Sequence, residues 1–287
     1  MASALAQAET VGDALAANGR RVIWPAALGA AAAMAMFAAN FVLVRQAIVA
    51  GLGAADLVAL RYGVAAVFFL PLLLSPRYRR EAAVLGLPRT LVLTALGGAP
   101  YFLLAASALN FAPAAHGVVL NPGMVTLTAV VLAASQGDRL GRGALLGLPL
   151  VLIGLGLVAG DGLLADHPNL PRVWLGDAML VASGTISGGY YFLVRRWGIG
   201  SVMATASISV TSAIAWLPAY ALLAGHRLYL APVGELVLQG MYQGLVAGVV
   251  GIVLYTRSVA VIGLARAALF PPLTPVLGTV LAAIRFS

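Results

Sequence analysis

Phe41-Val42-Leu43-Val44-Arg45 and Tyr191-Phe192-Leu193-Val194-Arg195 are two spellings of one pattern, set 150 positions apart, and each closes a long apolar run. The same offset carries Ala115-His116-Gly117 and the following Asn121-Pro122 onto Ala265-Arg266-Ala267 and the following Pro271-Pro272. A period this long implies two structural halves of like build. Around these anchors the chain is mostly hydrocarbon: 62% of its 287 residues are hydrophobic and 9% are charged, where a soluble domain carries about 25% charged residues. The expected fold class is an all-α integral membrane protein.

A helix crossing about 30 Å of hydrocarbon needs about 20 apolar residues. Nine stretches qualify, approximately 22–48, 55–75, 91–110, 115–134, 141–160, 174–194, 203–224, 236–256 and 265–284. Connections are short; the longest, Asp161 to Arg172, carries Asp161, Asp166 and His167. With the N-terminus inside, ten arginines fall on the cytoplasmic side, among them Arg20, Arg21, Arg77, Arg79 and Arg80, and only Arg45, Arg172, Arg227 and Arg285 fall outside. That excess follows the positive-inside rule and makes the N-terminus cytoplasmic. Five spans separate Arg45 from Arg195, an odd number, so the matching segments cross the bilayer in opposite directions. The expectation is two inverted-topology repeats of five helices. A disordered cytoplasmic tail covers 1–21, the first repeat 22–160 (spans 1 to 5), and the second 174–287 (spans 6 to 9).

Composition also excludes. Cysteine is absent, so there are no disulfides and no thiolate metal sites. Lysine is absent too, and the 17 arginines behind the net charge of +8 are scattered through short loops without interleaved aromatics, which speaks for membrane orientation and against nucleic acid. Arg20-Arg21 does not open an export signal, since the apolar run after it is too long. There is no metal-ligand spacing, P-loop or nucleophile elbow. The expectation is not an enzyme, with no catalytic residue, no metal and no cofactor.

Several segments carry a family resemblance: Ala59-Leu60-Arg61-Tyr62-Gly63-Val64-Ala65-Ala66 running to Leu70-Pro71-Leu72, then Gly137-Asp138-Arg139-Leu140, then the glycine-rich Gly143-Ala144-Leu145-Leu146-Gly147 to Gly160. In order and spacing they resemble the ten-helix EamA-type exporters of the drug/metabolite transporter superfamily, with Asp138 where that family usually has Glu. The resemblance implies a multi-pass protein of the inner (plasma) membrane that exports small metabolites, and its aromatic and other amino-acid exporters are the nearest functional analogues. It also implies a tenth helix. The 150-residue offset carries Gly137 to Ser287, the last position, so the residues supply nine spans of the ten.

In hydrocarbon a polar group costs free energy unless partnered, which makes intramembrane polar residues the first site candidates. Asn40, Asn121 and the aromatics Phe37, Tyr101, Tyr190, Trp216, Tyr242 and Tyr255 lie inside spans of both halves and are expected to line a central substrate cavity, Asn40 pairing by offset with Tyr190. Pro122, Pro271 and Pro272 are expected to break the fourth and ninth spans at one repeat coordinate. Gly244 and Gly248, with Gly240, form a smooth face on the eighth span for close packing or for sliding. Gly143, Gly147, Gly156 and Gly160 on the fifth serve intramolecular packing or a homodimer; monomer is the simpler reading. No carboxylate occupies the middle third of a span, Asp56, Asp177 and Glu235 lying at helix ends, and His116 is the one intramembrane group that titrates near neutrality. It reads as a packing or interfacial histidine ahead of a proton relay. Arg61, two turns inside the second span, either snorkels outward or attracts a substrate carboxylate.

The expected function is a secondary transporter exporting small metabolites, amino acids including aromatic ones, by alternating access through that cavity. Its partners are the small-molecule substrate and the bilayer. The alternatives are efflux of amphipathic or cationic drugs and a non-transporting membrane assembly subunit.

Overall fold

In lipid a helix satisfies its own backbone, and the computed structural model, which describes residues 2–137, 142–164, 170, 172–223, 228, 231–262, 270 and 273–286, is all-helical over those residues. In chain order the elements are α1 (Ala2–Val49), α2 (Ala54–Leu74), α3 (Pro76–Leu85), α4 (Leu87–Gly97), α5 (Ala99–Ala108), α6 (Ala114–Ser135), α7 (Arg142–Leu164), α8 (Val173–Arg196), α9 (Ser201–Leu223), α10 (Val233–Gln239), a π-helical stretch (Gly240–Val250), α11 (Gly251–Ile262) and α12 (Leu273–Phe286).

Among the described residues seven segments are long and apolar enough to cross a membrane: Ile23–Val49, Ala54–Leu74, Leu87–Ala108, Ala114–Ser135, Gly147–Leu164, Ser201–Leu223 and Val233–Tyr255. They correspond to the expected spans 1 to 5, 7 and 8. Expected span 6 is α8, a 24-residue helix diluted by Gly176, Asp177, Ser183, Gly184, Ser187 and Gly188. Expected span 9 is represented by the 14-residue α12. Residues before Ile23, expected as a tail, continue α1. Asp161, expected in a loop, is helical, since α7 runs on to Leu164.

Lipid offers no hydrophobic drive for helices to associate, so small residues and interhelical hydrogen bonds hold the bundle. On α8 a Cβ at Gly176 would come 2.6 Å from Ala112 Cβ, one at Gly184 2.5 Å from the Asn121 carbonyl oxygen and one at Gly188 2.6 Å from Thr128 Cβ, which is why α8 lies so tightly on α6. Gly244 does the same on the eighth span, where a Cβ would reach 2.5 Å from Val64 Cβ. By contrast, a Cβ at Gly147, Gly154, Gly156 or Gly160 on α7 would meet nothing within 4 Å among the described residues, so these glycines do not pack against them.

The packing partners exchange under a shift of five spans. Span 4 lies on span 6 (α6 on α8) as span 1 lies on span 9 (α1 on α12); span 3 lies on span 6 (α5 on α8) as span 1 lies on span 8 (α1 on α11); and span 2 lies on span 7 (α2 on α9).

The third span breaks at Gly98, between α4 and α5, with Pro100 two residues on, and the Ala99 N–H released there donates to Ser212 Oγ at 3.0 Å. The 150-residue offset carries Gly98 to Gly248, inside the π-helical stretch of the eighth span. The irregular backbone thus falls at one coordinate in both halves, on spans 3 and 8. The break expected at Pro122 does not form: α6 passes through Pro122 as one helix. Pro271 and Pro272 lie outside the described residues.

Two outcomes follow. Removing the hydroxyl in Ser212→Ala leaves the buried Ala99 N–H unpaired, which costs about 1–3 kcal/mol and lowers the thermal midpoint in detergent. The chain has no native cysteine, so single cysteines report sidedness cleanly: a membrane-impermeant thiol reagent outside intact cells labels Leu164→Cys and not Arg79→Cys if the arginine bias orients the chain as expected.

Candidate functional site

Arg61 sits on α2 in the interior of the bundle. Its Nη1 donates to Gln243 Oε1 at 3.2 Å and to Asn40 Oδ1 at 3.5 Å, and its guanidinium carbon lies 4.5 Å from the centre of the Phe102 ring. Among the described residues no carboxylate stands within ion-pair distance of it. Gln243 is fully buried and passes its amide on to Gln239 Oε1 at 3.3 Å; Gln239 in turn donates to Glu235 Oε1 at 2.9 Å and to the Leu43 carbonyl at 3.0 Å. Glu235, Gln239 and Gln243 stack at spacings of four on one helix face, and this ladder fixes the direction in which Gln243 presents its oxygen.

A second group lies close to Arg61. Tyr101 donates to Asn121 Oδ1 at 3.4 Å, and Asn121 Nδ2 donates to Ser183 Oγ at 2.7 Å, so the amide is oriented by α5 and α8 together. Tyr191 lies within electrostatic reach of Arg61, Tyr101 and Tyr255, and is nevertheless 56% exposed. Around Arg61 and Tyr191 the helices α1, α2, α5, α6, α8 and α11 bring together one cation, two asparagine amides and several aromatic rings. The chemistry of this group suits a zwitterion with an apolar or aromatic side chain: guanidinium for carboxylate, amide oxygens and ring faces for ammonium.

The expected site residues divide. Asn40, Tyr101, Asn121 and Tyr255 neighbour Arg61, Tyr191 or each other. Tyr190 packs against Gly97, where a Cβ would come 2.7 Å from its ring, and no contact joins it to Asn40. Trp216 donates to the Ala55 carbonyl at 3.2 Å and Tyr242 to the Met36 carbonyl at 2.9 Å, tying α9 to α2 and the π-helical stretch to α1. Phe37 packs on Gly251, whose Cβ would lie 3.0 Å from its ring. Gly244 meets the backbone of Arg61 and the side chain of Val64 and so sets how closely the eighth span approaches α2, whereas a Cβ at Gly248 would lie 2.9 Å from the Gln243 carbonyl oxygen of its own span.

Sequence reasoning passed over Gln239, Gln243 and Tyr191. The glutamines were legible as a polar stripe at Glu235, Gln239 and Gln243 in an otherwise apolar span. Tyr191 follows Ser187 by four residues, one turn along the α8 face that meets Tyr101 and Asn121; its neighbour Tyr190 points about 100° away.

Residues 24–160 match the EamA-like transporter family. No curated protein matches the chain. Among solved structures, one described only as a crystal structure of a protein is similar over 89% of each chain, with a TM-score of 0.54 and 22% identity, a likeness of fold. The matched stretch takes in α2 with Arg61, the broken third span and α6 with Asn121, so the similarity to EamA-like transporters covers the part of the chain that carries both.

Proposed function

We propose that the protein is a secondary transporter of the inner membrane that exports small carboxylate-bearing metabolites, amino acids with aromatic or large apolar side chains first among them, by alternating access. One observation carries the reading: Arg61 is a permanent cation inside the membrane with two amide oxygens and a ring face around it and no carboxylate beside it among the described residues. A lone arginine at mid-membrane costs about 2.5–3.5 kcal/mol on insertion scales. A chain that keeps such a charge and holds its neighbours with a glutamine ladder gains most when an anion pairs with it. The aromatic groups Tyr101, Tyr191 and Tyr255 favour a ring or a long apolar side chain on that anion.

Alternating access draws on the same geometry. The third and eighth spans are irregular at matched coordinates, Gly98 and the π-helical stretch, and both contribute residues to the proposed site. Interrupted helices in corresponding positions of two halves are where transporters place binding and movement.

Efflux of cationic drugs is the competing reading, and the site discriminates, because Arg61 repels a cation. In proteoliposomes, Arg61→Gln is expected to lower radiolabelled phenylalanine or tryptophan flux by about 10- to 100-fold, the equivalent of a charged hydrogen bond of about 1.5–3 kcal/mol, with unchanged helix content and elution. Arg61→Lys retains part of it, and an aromatic amine without a carboxylate neither competes nor is carried. Flux of the amine that rises in Arg61→Gln would instead favour drug efflux. Tyr191→Ala is expected to weaken the aromatic substrates more than small aliphatic ones, whereas Tyr190→Phe leaves their ratio unchanged.

A further inference from the structure

His116, in the first turn of α6, stands between two carboxylates contributed by two other helices. Its Nδ1 is 2.8 Å from Asp177 Oδ1 on α8 and its Nε2 is 2.9 Å from Asp161 Oδ2 in the last turn of α7. The His116 and Asp177 side chains are 7% and 8% exposed, whereas that of Asp161 is 48% exposed, so the group is buried at one end and open to solution at the other. Asp177 Oδ2 is buried with no hydrogen-bond partner among the described residues, and a Cβ on Gly162 would collide with it. The absence of a side chain at that glycine is what lets α7 bring Asp161 up to the imidazole.

Hydrogen counting decides what this geometry holds. A carboxylate oxygen only accepts, so each of the two short contacts needs a hydrogen on its line, and a neutral imidazole supplies one. The second is an added proton. We propose that His116, Asp161 and Asp177 form a proton-binding site in which the proton taken from the adjoining solution forms the second N–H bond of His116, and that the imidazolium so made clamps α6, α7 and α8 together at this end of the bundle. The lone pair of the ring nitrogen forms the new N–H bond, and the O–H bond of the hydronium ion that delivers the proton is broken, leaving water. Without the proton, one ring nitrogen presents a bare lone pair to a carboxylate and the two acids face each other uncompensated, so the three helix ends separate.

Among the described residues the charged and titratable groups around the site are few. α7 offers Asp161; α8 offers Asp177, preceded by Arg172 at its N-cap; α1 offers Arg45, whose Nη1 donates to the Leu109 carbonyl; and α5 has only Tyr101. The arginine bias assigns this end to the outer face. A proton from outside would then close the outward-facing state and return the transporter toward the cytoplasm, independently of what Arg61 binds.

The test needs no substrate. With ring-¹⁵N-labelled histidine in the full chain in nanodiscs, His116 is assigned among the three histidines by its loss in His116→Gln. At neutral pH both of its ring nitrogens are expected to show a directly bonded hydrogen. In Asp161→Asn the amide donates to Nε2, so that nitrogen loses its hydrogen, while Asp161→Glu, which keeps the acceptor, preserves the two-proton signature. A bare nitrogen in the unaltered chain, or two hydrogens that persist in Asp161→Asn, would overturn the site. Spin labels at Leu163→Cys and Trp174→Cys report the clamp: their separation is expected to be narrow in the parent chain and longer in His116→Gln. Identical distributions would overturn the clamp. Neither result depends on Arg61, so failure here leaves the substrate reading standing, and failure of that reading leaves this site standing.

Discussion

A polar group in hydrocarbon has no water to turn to, and most of the described bundle follows from how each such group is satisfied. Asn121 is held by Tyr101 and Ser183, Gln239 by Glu235 and the Leu43 carbonyl, and the Ala99 N–H by Ser212. Arg61 differs. Its neighbours are amide oxygens and a ring face, which orient a guanidinium without neutralising it. The proposed substrate site is the place where, among the described residues, the interior is left one charge short of balance.

That imbalance is held in place by close backbone approach. Gly244 lets the eighth span press against α2 beside Arg61, and Gly176, Gly184 and Gly188 let α8 press against α5 and α6 beside Tyr101 and Asn121. Where the backbone itself departs from α-helix, at Gly98 and through Gly240–Val250, it does so on the two spans that the repeat makes equivalent. Tight glycine contacts and irregular spans therefore occur close together around Arg61, Tyr101 and Asn121, and the proposed alternating access would draw on both.

Much of this was legible in the residues. Hydropathy located the long apolar helices, and the 150-residue echo anticipated packing that exchanges under a shift of five spans. The sixth span was legible by the repeat and not by hydropathy alone, because the serines and glycines that fit it to α6 also dilute its apolar character. The helix breaks were sought at prolines, yet α6 absorbs Pro122, and the interruption falls at Gly98, where a proline two residues on and a serine on another helix together supply the cause. Tyr190 was chosen over Tyr191 because sequence does not say which of two adjacent side chains looks inward. Asp161 was read as a loop residue and His116 as a packing histidine; only the meeting of α6, α7 and α8 shows that they touch.

The central claim is that the carboxylate of the substrate pairs with Arg61. Solid-state NMR measures it directly, using the protein with ¹⁵N-guanidinium-labelled arginine and phenylalanine labelled with ¹³C at its carboxyl carbon. A dipolar contact consistent with an N···O distance of about 2.7–2.9 Å, present in the parent chain and absent in Arg61→Gln, is the predicted result. Bound phenylalanine with no arginine contact, or a contact that survives Arg61→Gln, would contradict it.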